Sequence, residues 1–418
     1  MHESPLTALV LSGGGARAAY QVGVLRALVQ IRRGARGPRA RLDNPFGIIV
    51  GTSAGAINAA ALAAHADRFE GAVEVLAKVW QNFAAEQVYR ADSLGVIRSG
   101  AQWLTMLSVG WLIARWRRAR PRSLLDNSPL AELLQRLVPL ERVPMLLAER
   151  HLHAWAVTAS SYTTGEHVTF YDSALPVAPW QRSQRLAVPQ RIGHGHLLAS
   201  SAIPFVFPSV SLQPGHQPGW FGDGSMRQTA PLSPAIHLGA QRLVIIGAGR
   251  MQEPAGRVVA AGGYPNLAQI AGHAMSSIFL DALAVDVERM RRINRTLALL
   301  PDAALADSEL RPLEALVISP SQRIDDIAAR HLQALPLPVR SLLRGVGVGA
   351  NGAAHAGGAA VQGAALASYL LFEAPFTREL MALGEADTMA RQDEVLRFFA
   401  WDQAPARTPR GGPDIELP

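Results

Sequence analysis

Two stretches near the N-terminus repeat one grammar: an apolar strand, a turn of small residues, and a helix. Residues 7 to 28, TALVLSGGGARAAYQVGVLRAL, run from a short apolar strand through three glycines into a pattern that puts Val22, Leu25 and Leu28 on one side of a helix. FGIIVGTSAGAINAAALAAHA repeats it, with an apolar strand ending at Val50, a small-residue turn and an alanine-rich helix. Parallel strands need a crossover, and a helix supplies it, so two such units in succession argue for an α/β fold on a parallel sheet. The stretch from Asn44 to Ala64 carries no charge, and a hydropathy window alone reads it as a membrane span. The Gly51-Thr52-Ser53-Ala54-Gly55 break in its middle favours a buried strand and a sharp turn instead.

The rest of the chain supports one large domain with additions. Its 418 residues are 49% apolar and 17% charged, which excludes global disorder. Residues 70 to 150 read as mostly helical, and HLHAWAVTASSYTTGEHVTFYD reads as a β-hairpin turning at Thr164-Gly165. RLVIIGAGR is a further strand, and residues 251–418 read as a mainly helical extension with a Gly/Ala-rich stretch near 345 to 365. The absence of cysteine excludes a disulfide scaffold, a thiol nucleophile and a thiolate metal site. The net charge of +7 is almost wholly arginine, Lys78 being the single lysine, and it favours an acidic partner only modestly. The N-terminus holds too short an apolar run for a signal peptide, so the expectation is a cytoplasmic protein with peripheral membrane contact.

Two small-residue turns carry the chemistry. Gly51-Thr52-Ser53-Ala54-Gly55 is G-x-S-x-G between a strand and a helix, a context in which a serine hydroxyl is held exposed on a strained turn at a helix N-terminus. Gly13-Gly14-Gly15 leave backbone N–H groups unobstructed, as an oxyanion hole or a phosphate cradle requires, and Arg17 places a cation beside them. Gly13, Gly15 and Ala18 also fit a dinucleotide fingerprint. That fingerprint expects an acidic residue at the end of the second strand, whereas Asp43 precedes the strand and Gly51-Thr52-Ser53 ends it. His194 and His196 lack further metal ligands nearby in sequence.

These residues resemble the patatin-like phospholipases. That family combines a G-G-G-x-[KR]-G loop, a G-x-S-x-G serine about forty residues later and a D-G-[GA] aspartate far downstream. Gly13 to Arg17 match the loop (13–18), Ser53 the nucleophile elbow (51–55) and Asp223-Gly224 the aspartate motif (223–224); Ala199-Ser200-Ser201-Ala202-Ile203-Pro204 resembles a fourth block. Ala18 and Ser225 depart from the pattern, both by small side chains. The resemblance implies a three-layer α/β/α sandwich over residues 7–250, with a helical insertion at about 70–150. It also implies a catalytic pair, Ser53 and Asp223, an oxyanion hole from Gly13, Gly14, Gly15 and Arg17, an acyl-ester lipid as substrate, and no metal, organic cofactor or nucleic acid. A Ser-His-Asp triad is the alternative mechanism, with His237, His273, His331 or His355 as the base; a non-catalytic membrane-binding scaffold is the alternative function.

One further segment stands apart. Ser99 to Ala114 is uncharged and carries Trp103 and Trp111, and it is followed by Arg115, Trp116, Arg117, Arg118, Arg120 and Arg122. Tryptophans beside arginines suit a membrane interface, so residues 103–122 are expected either to touch an anionic membrane or to act as a lid or core helix.

Overall fold

The computed structural model describes residues 5–37, 43–90, 123–215, 218–251, 265–348 and 363–402. The segment 103–122 and His355 lie outside the described residues. The strands are β1 (Thr7–Leu11), β2 (Ile48–Thr52), β3 (Ala154–Ser161), β4 (His167–Ser173), β5 (Gln181–Arg182), β6 (Arg185–Pro189), β7 (Val210–Leu212), β8 (Gly219–Asp223), β9 (Arg242–Ile246) and β10 (Glu314–Ile318). These ten strands among the described residues join one sheet, in which β10, β9, β1, β2 and β3 lie side by side and parallel.

The apolar runs of the two N-terminal units are strands buried on both faces. Along β1 and β2, Leu9, Leu11 and Ile49 point into one core while Ala8, Val10, Ile48 and Val50 point into the other. Alternate residues entering opposite cores is what a sheet covered on both sides requires. One face carries the helices α1 (Ala19–Arg36), α2 (Ala54–Ala63) and α3 (Phe69–Gln81); the other packs Leu232, Ala235, Leu283 and Val287. The three-layer arrangement is therefore present. The expected hairpin is β3 and β4, antiparallel with Ser160 opposite His167. On the other side of β3, β8 runs antiparallel with Asp223 opposite Ala159, which brings the aspartate motif to the end of the sheet where β2 finishes.

The C-terminal region is mainly helical, as expected, and it also contributes a strand that the sequence reading did not single out. β10 extends the parallel sheet beyond β9, with Val317 opposite Ile245. Its sequence, Glu314-Ala315-Leu316-Val317-Ile318, is a short apolar run between Pro312 and Pro320, too brief for periodicity to separate strand from helix. The helix Ala374–Met389 lies on α1 at close range: a Cβ at Gly23 would come within 1.9 Å of Met381 O, and one at Gly384 within 2.3 Å of Tyr20 O. Residues on both sides of position 250 thus share one sheet and one core. A continuous helical run, Leu267–Leu297, is long and apolar enough to cross a bilayer by length and composition alone. Its Phe279, Leu283, Val287 and Met290 are buried in the cores, while Leu267, Ile270 and Val285 are exposed.

Candidate active site

Ser53 sits between β2 and α2 with φ 54° and ψ −129°, a conformation that side-chain-bearing residues rarely adopt and that characterises a nucleophile elbow. The two glycines around it make room. A Cβ at Gly51 would lie 2.5 Å from Ala56 Cα, and one at Gly55 would lie 2.4 Å from Ser12 O. The backbone N–H of Ser53 donates to Ser200 Oγ at 2.8 Å, and its hydroxyl donates to Asp223 Oδ2 at 2.6 Å.

Asp223 ends β8 and is fully buried. Its second oxygen, Oδ1, accepts from the backbone N–H of Ser225 at 2.8 Å. The turn that follows is locked on three sides: Asp223 N–H donates to Ala202 O, Gly224 N–H to Ser200 O, and the His167 ring Nε2 lies 3.1 Å from Gly224 O as its donor. Only glycine fits at 224, because a Cβ there would lie 2.2 Å from Thr158 O. Burial pushes the Asp223 carboxyl up to about 7, against the pull of the hydrogen bonds from Ser53 and the Ser225 backbone. A carboxylate in direct contact with a serine hydroxyl, with its affinity for a proton raised to near neutrality, has the properties of a general base.

The glycine loop lies directly over this pair. A Cβ at Gly13 would meet Ser225 Oγ at 2.3 Å and Ser53 Cβ at 3.0 Å. The N–H groups of Gly13, Gly14 and Gly15 find no acceptor among the described residues, whereas the next two amides are bonded, Ala16 to Tyr369 O and Arg17 to Gly14 O. Arg17 departs from expectation. Its guanidinium turns to the C-terminal region, donating to Asp325 Oδ1 at 2.5 Å, Ser368 Oγ at 2.7 Å and Ala365 O at 3.3 Å, and it stacks 4.2 Å from the Tyr369 ring centroid. Among the described residues its side-chain bonds go to positions 325, 365 and 368, and none goes to Ser53 or Asp223.

Ser53 and Gly15 are among the residues that line a cavity of about 320 Å³. Ile57, Ala61 and His65, one face of α2 and the residues just past its C-terminal end, line it together with Ala72, Leu76 and Val79 of α3 and Leu130, Leu133, Leu134 and Leu137 of the helix Ser128–Leu137. Apart from His65, Arg68 and small polar groups near Ser53 the lining is apolar.

Of the four proposed triad bases, the three among the described residues are placed elsewhere. His237 stacks on Trp180 at 4.7 Å between centroids, His331 lies 2.5 Å from Glu379 Oε2, and His273 belongs to the helix Leu267–Ser276. His194 faces Val138 O, and His196 Nδ1 accepts from Gly193 N–H. The described histidine that touches the aspartate turn is His167, which sequence reasoning overlooked. Burial holds it down at about 4, so at neutral pH it is an uncharged donor to Gly224 O. Ser200 was visible only as part of the fourth block; its hydroxyl and carbonyl tie the nucleophile elbow to the aspartate turn, which explains that block.

A buried carboxylate bonded to an elbow serine under a glycine loop, on a parallel α/β sheet with an apolar cavity at the serine, defines the class of α/β acyl hydrolases that act on lipids. The chain belongs to the patatin-like phospholipase family, whose sequence model matches residues 9–236. Among solved structures it is similar to VipD from Legionella pneumophila, at 13% identity over 94% of this chain and 67% of that one, TM-score 0.32. It is also similar to human GIVD cytosolic phospholipase A2, at 14% identity over 95% of this chain and 59% of that one, TM-score 0.40. It therefore spans less than two thirds of the length of the human enzyme. No curated protein matches it.

Proposed function

We propose that this protein hydrolyses carboxylic esters of lipids, as a phospholipase or lysophospholipase of the A type, through a Ser53–Asp223 dyad. Asp223 takes the Ser53 proton as Oγ attacks the ester carbonyl, and the N–H groups of Gly13, Gly14 and Gly15 receive the developing oxyanion. Collapse of the tetrahedral intermediate breaks the ester bond, and Asp223 passes the proton to the departing alcohol. Water then attacks the acyl-enzyme, gives a proton to Asp223, and the fatty acid leaves as that proton returns to Ser53. The 2.6 Å contact of Ser53 Oγ with a buried carboxylate whose proton affinity is near neutral carries this reading. It requires no histidine and no cofactor. Tetrahedral probes such as organophosphonates should label Ser53 alone, and each of His237, His273 and His331 should be replaceable by alanine with most activity kept. A large loss in one folded histidine variant would favour the triad of a general carboxylesterase.

The apolar lining of the cavity beside Ser53 supports an acyl chain as the group held there. Twelve residues of largely helical backbone separate Ser53 from His65, roughly 18 Å at about 1.5 Å each. An extended acyl chain gains about 1.25 Å per carbon from bonds of about 1.5 Å at about 111°, so about fourteen carbons span that distance. Contact of residues 103–122 with an anionic membrane rests on their sequence alone, and vesicle binding tests it.

A further inference from the structure

The match to the family stops at residue 236, yet the glycine loop is braced by residues well beyond it. Contacts with residues 279, 325 and 365–369 converge there. The N–H of Ala16, the residue after the three glycines, donates to Tyr369 O at 3.1 Å. That same carbonyl lies so close to Gly15, 2.3 Å from where a Cβ would stand, that it limits how Gly15 can sit at its φ of +56°. Arg17, with its side chain 3% exposed, is held by Asp325 and by Ser368, whose own hydroxyl donates onward to Ala365 O at 2.6 Å. The Tyr369 ring lies under the guanidinium and 4.9 Å from Phe279, whose edge meets Gly13.

We infer that the segment 363–372, together with Asp325, is a latch that aims the Gly13–Gly15 amides at the oxyanion, so that Asp325, Ser368 and Tyr369 are positioning residues for turnover. The inference rests on the proposed role of those amides. Amides without a protein acceptor keep their direction only if the backbone on each side is fixed. On the N-terminal side β1 fixes it; on the C-terminal side the bonds of Ala16 and Arg17 do. Loss of either Arg17 acceptor lets the Gly15–Ala18 turn shift, and a shift of about 1 Å at an oxyanion hole can cost about 100-fold in rate. The effect falls on the transition state, because the oxyanion exists only after Ser53 attacks.

The test uses the full chain with Ser368→Ala, which removes one acceptor, and Asp325→Asn, which keeps shape and removes charge, alongside Asp325→Glu. The readouts are kcat and KM on a soluble ester, the affinity of a trifluoromethyl ketone that forms a tetrahedral adduct, and the affinity of the matching fatty acid. The latch predicts kcat lower by about 10- to 100-fold with KM within about twofold. Ketone affinity should fall in step with kcat, fatty-acid affinity should hold, and Asp325→Glu should recover part of the loss. Should Asp325→Asn fail to fold, Ser368→Ala carries the test. Wild-type kcat in a folded Ser368→Ala, or a reduced kcat with unchanged ketone affinity, overturns the latch. Retention of hydrolysis in Ser53→Ala would instead overturn the serine mechanism on which it rests.

Discussion

Replacing Asp223 by asparagine should make the protein more stable while removing its turnover, with a difference that depends on pH. Asp223 is fully buried, and burial lifts its carboxyl from 3.8 to about 7. About 3 units at about 1.36 kcal/mol each correspond to about 4 kcal/mol. Because the folded value lies above the unfolded one, the native state holds a proton between about pH 4 and pH 7 that the unfolded chain releases. Stability from this group therefore falls as pH rises through that window and stays low above it. Asparagine titrates in neither state. It can also keep both bonds, its carbonyl accepting from Ser225 N–H and its amide donating to Ser53 Oγ. Urea unfolding of both proteins should give equal stability near about pH 4, with an advantage for the variant that opens towards about 4 kcal/mol by about pH 8. Turnover of a soluble ester should drop by about 100-fold or more, the usual size of a general-base contribution. A stability difference that stays constant across that range, or a variant less stable than wild type at the alkaline end, would refute the argument that burial sets the proton affinity of this group.

The remaining predictions concern substrate and surface. Wild-type kcat/KM on soluble esters should fall below about pH 7 as Asp223 takes up a proton, and an acid limb near pH 4 would contradict the raised value. Ala61→Phe should place a ring about two thirds of the way from Ser53 to His65 and move the preferred acyl chain from about fourteen carbons to about ten, since Ala61 is eight residues or roughly 12 Å of helix from Ser53; an unchanged chain-length profile would remove the cavity as the acyl site. Replacing Arg117, Arg118 and Arg120 by glutamine should weaken binding to anionic vesicles, by up to about 1 kcal/mol per arginine at moderate salt, while turnover of a soluble ester survives. Unchanged vesicle binding would reject the membrane role of that segment.

Much of the fold was legible because buried parallel strands announce themselves. β1 and β2 are short apolar runs that end in glycine turns, and for β2 the glycine turn is what separates a buried strand from the membrane span that hydropathy alone suggests. β10 was not legible, since a glutamate and four apolar residues at a sheet edge between two prolines carry no distinguishing period. Ser53 was visible from its own neighbours, because G-x-S-x-G encodes the close approaches that Gly51 and Gly55 must tolerate. Its pairing with Asp223 spans 170 residues and became visible only through the family motif. Arg17 shows the limit most clearly. Its place beside the glycines follows from sequence, but the direction of its side chain is decided by Asp325 and Ser368, more than 300 positions away. His167 likewise has no local signature, since its partner, Gly224 O, is supplied by a different strand end.

The central claim, that Ser53 is the nucleophile of a lipid acyl hydrolase, is tested most directly by reacting the purified chain with a long-chain fluorophosphonate and mapping the adduct by mass spectrometry, in parallel with hydrolysis of a phospholipid panel. The account predicts one adduct, on Ser53, with loss of lipid hydrolysis in step with labelling, and neither labelling nor hydrolysis in a folded Ser53→Ala. Labelling at another residue, or lipid hydrolysis that persists in Ser53→Ala, would contradict it.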